Sequence, residues 1–275
     1  MAAAKKASVR PDIATFAGLA LAFGGIIAGL LLEGGKLGQI LQPTAAMIVF
    51  GGTFGAVMVT MPLSALMRSV RAVTSVFLER QQQPEAIVEE IIGYATKARK
   101  SGIVGLEQDA ESVQDPFLRK ALNLAVDGTD LQEIRKMMEL DMGVEEHRDE
   151  SAAKVFEAAG GYAPTIGIIG AVLGLIQVMQ HIQNVEEVGK GIAVAFVATI
   201  YGVGIANLFL IPAAGKIRAR AHAANEMREL MLEGISGIVE GLNPKLIRVK
   251  LEAFVESKSK PGAKAPAKAA TAKAA

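Results

Sequence analysis

Four stretches of this chain, residues 13–32, 44–61, 162–179 and 191–214, contain no Asp, Glu, Lys or Arg. Each approaches or exceeds the ~18–20 apolar residues that a helix needs to cross the hydrocarbon of a bilayer. One such run could be a buried core helix, but four of them in 275 residues predict a membrane protein. Lipid offers no partner for a backbone N–H or C=O, so spans of this length are helices that satisfy those groups internally. The fold class that follows is all-α, with four transmembrane helices and a large helical domain outside the membrane. The first run is too long, and too poor in a small-residue cleavage signal, to read as a signal peptide, and it is expected to be retained.

Basic residues at the span ends set the orientation. Lys5, Lys6 and Arg10 precede the first span, Arg68 and Arg71 follow the second, and Lys216, Arg218 and Arg220 follow the fourth. The links 33–43 and 180–190 carry one Lys each. The positive-inside rule then puts both termini and the long central segment in the cytoplasm. The expected layout is a cytoplasmic N-terminus (1–12), spans at 13–32, 44–62, 161–181 and 191–214, periplasmic loops at 33–43 and 182–190, a cytoplasmic helical domain (63–160), a helical extension (215–256) and a basic tail (257–275).

The central segment reads as helical. Ile87, Ile91 and Ala95 recur at helical spacing with charges between them, and Gly102 is placed as a stop. Thr129 or Asp130 offers an N-cap, with Leu131, Ile134, Met137 and Met138 as the following apolar face. Residues 218–239 extend the fourth span as a long helix. Pro244 opens another, with Ile247, Leu251 and Phe254 on one face. The tail "SKSKPGAKAPAKAATAKAA" is low-complexity and expected to be disordered.

Other chemistry is sparse. The formal net charge of +1 points to neither nucleic acid nor an acidic substrate, and the absence of cysteine removes disulfides, thiolate metal sites and thiol nucleophiles. The "HRD" at His147–Asp149 echoes a kinase catalytic loop, but Lys154 stands where that loop needs Asn and no glycine-rich loop accompanies it. His147, His181 and His222 are too scattered for a metal. We expect no enzymatic activity, no cofactor and no metal. The four apolar runs also lack any Asp, Glu, His or Lys that could carry an ion, and His181 sits just beyond the third. Either the titrating group comes from another chain or the protein is a passive membrane scaffold; composition leaves both open. Gly25 and Gly29, Gly51 and Gly55, and Gly170 and Gly174 form small-xxx-small pairs that suit close helix packing, as such pairs do in many membrane proteins.

"GGYAPTIGIIGAVLGLI" and "GKGIAVAFVATIYGVGIANLFLIPAAGKI" together resemble the paired hallmark of the MotA/PomA family. "MIVFGGTFG" is similar to that family's second span and "ATKARKSGIVGLE" to its loop motif. The resemblance implies an ion-channel-forming stator subunit of the bacterial flagellar motor, located in the inner membrane. It implies a homo-oligomeric ring, a pentamer, around a MotB/PomB-like subunit that supplies the missing aspartate and a peptidoglycan anchor. The other implied partners are the rotor protein FliG and membrane lipid.

By the same resemblance Pro164 and Pro212 match two family prolines. Either could serve a conformational relay or simply be a static kink. Thr199 matches the hydroxyl facing the partner's aspartate; a threonine bonded to its own helix is the alternative. Tyr201 is grouped with these on the ion pathway. Ala171 stands where sodium-type members carry threonine. Losing an oxygen ligand weakens a sodium site more than a proton path, so protons are the expected ion. Arg99, Lys100 and Glu107 match the charged loop positions that contact FliG, although a solvated helix face would look the same. Gln108 and Ala110 depart from the acids of sodium-type relatives. The nearest rival is the ExbB/TolQ type of outer-membrane energiser, which has one span, not two, before its cytoplasmic segment.

Overall fold

The computed structural model describes residues 9–80 and 83–259. The expectations for the N-terminal lysines and for the tail beyond residue 259 lie outside the described residues. The chain divides into two compact units. Of the described residues, one unit comprises 9–80 and 143–225 and holds the apolar spans. The other comprises 83–142 with 226–259.

In the span-bearing unit, strand β1 (Val9–Pro11) leads into helix α1 (Ile13–Leu32). Helix α2 (Pro43–Thr60) follows, and then α3 (Leu63–Phe77). Strand β2 (Leu78–Arg80) returns antiparallel to β1, with Arg10 opposite Glu79. Asp12 caps α1: its Oδ1 accepts from Thr15 N at 3.1 Å. No residue of α1 is buried within the chain, and Ile13, Leu21 and Leu32 are each more than three-quarters exposed. This apolar surface needs lipid or protein around it.

The other unit is a conventional helical core. Helix α4 (Pro84–Ser101) ends at Gly102, whose φ of +77° takes the chain out of the helix. Short α5 (Glu107–Ser112) and α6 (Pro116–Val126) follow, the latter capped by Asp115. The next two helices are long. Helix α7 (Leu131–Gln180) begins in this unit and continues into the other, and α8 (Val185–Val239) does the reverse. Helix α9 (Pro244–Ser259) completes the unit. Ile91, Leu118, Leu122, Ile134, Ile235 and Leu251 meet in its core.

Details differ from the periodicity reading. Val88, not Ile87, is the fully buried member of the α4 face, with Ile91 and Ala95; Ile87 packs at the rim. On α7, Ile134 and Met138 are buried while Met137 is 39% exposed, because a helical face takes every third or fourth residue and cannot take two neighbours equally. Asp130 is the residue that caps α7, accepting from Gln132 N at 2.8 Å. The boundary placed at residue 160 falls inside one uninterrupted helix, Leu131–Gln180, that carries Pro164 in its interior.

Candidate functional site: the α7–α8 crossing

Within the span-bearing unit, α7 and α8 touch backbone to backbone. A Cβ on Gly167 would fall 2.9 Å from the Ala198 carbonyl oxygen, and one on Gly174 would fall 2.8 Å from that of Gly191. A Cβ on Gly202 would strike the Ala163 carbonyl oxygen, and one on Gly170 would come 2.7 Å from the Ala198 methyl. In lipid, where apolar side chains gain little by leaving the solvent, such close contact supplies the dispersion that holds helices together. Of the six glycines paired by sequence, Gly170 and Gly174 lie in this seam. Gly25, Gly29, Gly51 and Gly55 have open space around them in the single chain. Gly167, Gly191 and Gly202 were not singled out by their spacing alone, since their partners are on the other helix.

Three of the proposed pathway residues gather here. Thr199 Cα lies 3.5 Å from where a Gly167 Cβ would be. Pro164 and Ala171 sit three residues before and four after Gly167, hence on its face of α7. All three are partly buried. Thr199 Oγ1 donates to the carbonyl of Ala195 at 3.2 Å, so its proton is held by its own helix and its lone pairs remain acceptors. Pro164 offers no N–H to the carbonyl of Gly160 one turn earlier, leaving a polar backbone oxygen within the seam helix.

Tyr201 and Pro212 go elsewhere. The Tyr201 hydroxyl donates to Ile40 O at 2.5 Å and accepts from Gln42 N at 3.3 Å, and its ring stacks on Phe50 at 6.0 Å. It fastens α8 to the link between α1 and α2. Pro212 is exposed and follows a π-helical turn, Ala206–Leu210, in which Asn207 Nδ2 donates to Val203 O at 2.9 Å. A second π turn, Met47–Gly51, lies in α2 beside the seam, where Ile48 reaches Gly170. Such turns often mark functional positions in helices. A further bond, 2.9 Å between the Thr60 and Tyr162 hydroxyls, joins α2 to α7.

At the other end of α1, Asp12 is buried and paired with Lys216 at 2.5 Å and with Arg220. The Arg220 guanidinium also donates to the carbonyls of Ser75 and Leu78. The hydrogen bond from Lys216, backed by Thr15 N and Arg220, holds the Asp12 carboxyl far below the usual carboxylate range against the opposing effect of burial. An aspartate directly before an apolar run was the available signal for this cap. Its cationic partners, some 200 residues on, were not legible.

The candidate rotor residues lie in the other unit. Arg99 and Lys100 occupy the last turn of α4 and Glu107 the first turn of α5, where each charge suits its helix end. All three are exposed and none is in an ion pair among the described residues. Ala110 is fully buried, so its position is filled by core packing.

The sequence model of the MotA/TolQ/ExbB proton channel family matches residues 109–230, and that of the motility protein A N-terminal region matches residues 16–101. Motility protein A of Bacillus subtilis is 33% identical over 250 residues, covering 90% of this chain and 93% of the relative. Chemotaxis protein PomA of Vibrio alginolyticus is 29% identical over 244 residues, covering 89% and 95%. The flagellar MotAB stator complex of Bacillus subtilis superposes with a TM-score of 0.84 at 33% identity, covering 90% of this chain and 98% of that one. A MotAB structure from C. jejuni gives 0.85 at 28%, covering 91% and 98%. Four helices long and apolar enough to span a bilayer, with a seam built on glycine, define a multi-pass membrane protein. The chain belongs to the MotA/PomA branch of the MotA/TolQ/ExbB proton channel family, a non-enzymatic motor component.

Proposed function

We propose that this chain is a flagellar motor stator subunit that, with a MotB-like partner, forms an ion channel and turns ion flow into torque. The observation that carries the reading is the acid-free lining: no Asp, Glu, Lys or Arg occurs in any of the four apolar runs, yet Thr199, Pro164 and Ala171 place polar oxygens and a small side chain together in a close-packed seam. Such a wall conducts when a partner helix lends it a carboxylate. In this reading Thr199 accepts a hydrogen bond from the protonated partner acid, and Ala171 keeps a sodium-ligating oxygen out of the path, which favours protons. Pro164 loosens α7 at that level and Pro212 loosens α8 beyond its wide turn. Five copies form the ring, both termini and the 63–160 segment face the cytoplasm, and Arg99, Lys100 and Glu107 meet FliG. An ExbB/TolQ-type role is disfavoured by the two spans that precede the cytoplasmic segment and by the match of the motility-specific N-terminal region.

The test is complementation. In a host without its own stator genes, co-expression with a MotB-like protein carrying a membrane aspartate should restore swimming. The chain alone, or with a partner whose aspartate is changed to asparagine, should not. Swimming restored by the chain alone would overturn the reading.

A further inference from the structure

A cavity of about 300 Å³ opens between the first half of α1 and the wide turn of α8. Thr15, Leu19 and Ala22 form one wall, Leu208 and Phe209 the other, and Lys216 stands at its mouth. None of this belongs to the α7–α8 seam. We propose that the cavity holds one acyl chain of a cytoplasmic-leaflet phospholipid whose phosphate is held by Lys216.

Three observations select that occupant. The walls are apolar apart from Thr15 and Asn207, and Thr15 Oγ1 already donates to Val76 O at 3.2 Å. The charge cluster that includes Lys216 has an excess of positive charge: Lys216 and Arg220 both pair with Asp12. Arg220 already directs its guanidinium to Asp12 and two carbonyls, whereas the Lys216 ammonium has three donors and one of them goes to Asp12. Its side chain is 33% exposed, long enough to lie along an apolar wall and put its charge at the interface. A lipid phosphate offers this ammonium an anion where the apolar run ends, which an uncharged span of a neighbouring copy would not. The lipid chain would then fill the gap between α1 and the π turn of α8, packing the otherwise unburied helix against it.

The leaflet assignment rests on the topology proposed above, so the experiment separates the two. The full chain with its MotB-like partner is reconstituted in vesicles containing phosphatidylglycerol with a diazirine in its acyl chain. Adducts are mapped after irradiation. The expected result is enrichment at Leu19, Ala22 and Phe209 over Leu21, which is 78% exposed and reports general lipid contact. Ala22→Leu, which fills the space, should cut the enrichment about tenfold while leaving the Leu21 signal unchanged. Lys216→Gln, or replacing the probe by a diazirine diacylglycerol that lacks phosphate, should lower it in the same way. Equal labelling at all positions, or enrichment indifferent to Ala22→Leu, overturns the proposal, and so does an Ala22→Cys variant that cross-links between copies of this cysteine-free chain. Labelling as strong with diacylglycerol as with phosphatidylglycerol overturns the role of Lys216. An Arg10→Cys variant probed with an impermeant thiol reagent reports in the same vesicles which side the N-terminus occupies, so a wrong topology is told apart from an empty cavity.

Discussion

Glycine at position 202 is fixed by contact, not by backbone angle: its helical conformation is open to any residue, but a Cβ would strike the Ala163 carbonyl oxygen. Backbone cannot rotate away as a side chain tip can, so Gly202→Ala must push α7 and α8 apart. We expect a cost of about 1–3 kcal/mol, read as a lower thermal midpoint of the purified complex and reduced swimming. Gly29→Ala, into open space, should leave the single chain's stability unchanged and so report only on contacts between copies. Asp12 is a second residue whose role is defined by its neighbours. Its carboxyl is held far below its ordinary value, chiefly by the hydrogen bond from Lys216. A depressed carboxylate contributes its stability above the unfolded pKa of ~3.9, and that contribution fades as pH falls through the folded value. The thermal midpoint of the wild type should therefore exceed that of Asp12→Asn by a constant margin from pH 8 to 5. The margin should narrow only in more acid solution; a margin that already closes near pH 6 would contradict the assignment.

Elements were legible in the sequence where length and charge decide them. The charge-free run at 13–32 coincides with α1, a length and composition that suit a span. The face of α4 was legible to within one residue: Ile87 and Val88 are both apolar, and only the packing of α8 and α9 against it selects Val88. The continuity of α7 was hidden because Gly160, Gly161 and Pro164 weaken a helix locally, whereas tertiary contacts such as that of Gly160 with Ile211 favour its passing straight through. The π turns were beyond reach, since a shift from i+4 to i+5 bonding leaves no mark in composition. Tyr201 shows the same limit for the site: a tyrosine in a span suggested the ion path, yet its hydroxyl is taken up by the backbone of residues 40 and 42. Tyr201→Phe removes the donor to Ile40 O and strands the Gln42 N–H, at a cost of about 1–3 kcal/mol if that group stays buried. A cysteine placed at Lys36 should then react faster with a membrane-impermeant reagent, because the 33–43 link has lost its tie to α8. Unchanged reactivity would mean that Phe50 stacking alone holds the link.

At the scale of the whole molecule, the residues proposed for the ion path and those proposed for the rotor contact lie in different compact units, yet α7 and α8 each run from one unit into the other without a break in helix. Arg99, Lys100 and Glu107, the proposed rotor residues, all lie within residues 83–142, in a different unit from Thr199 and Pro164. Rotor engagement by those residues would be electrostatic, since they are exposed, unpaired among the described residues and placed at helix ends of matching polarity. Contacts of this kind tolerate neutralisation of one charge and suffer from reversal, because reversal converts attraction into repulsion across the same gap. We therefore expect Arg99→Ala to swim at close to wild-type speed. Arg99→Glu with Lys100→Glu should swim poorly although the complex assembles and conducts. Reversing an acidic patch on FliG should rescue that double variant and impair the wild type. Failure of every compensating reversal, with the variant's stability and ion flux intact, would return these three residues to the role of helix-end charges on a solvated surface.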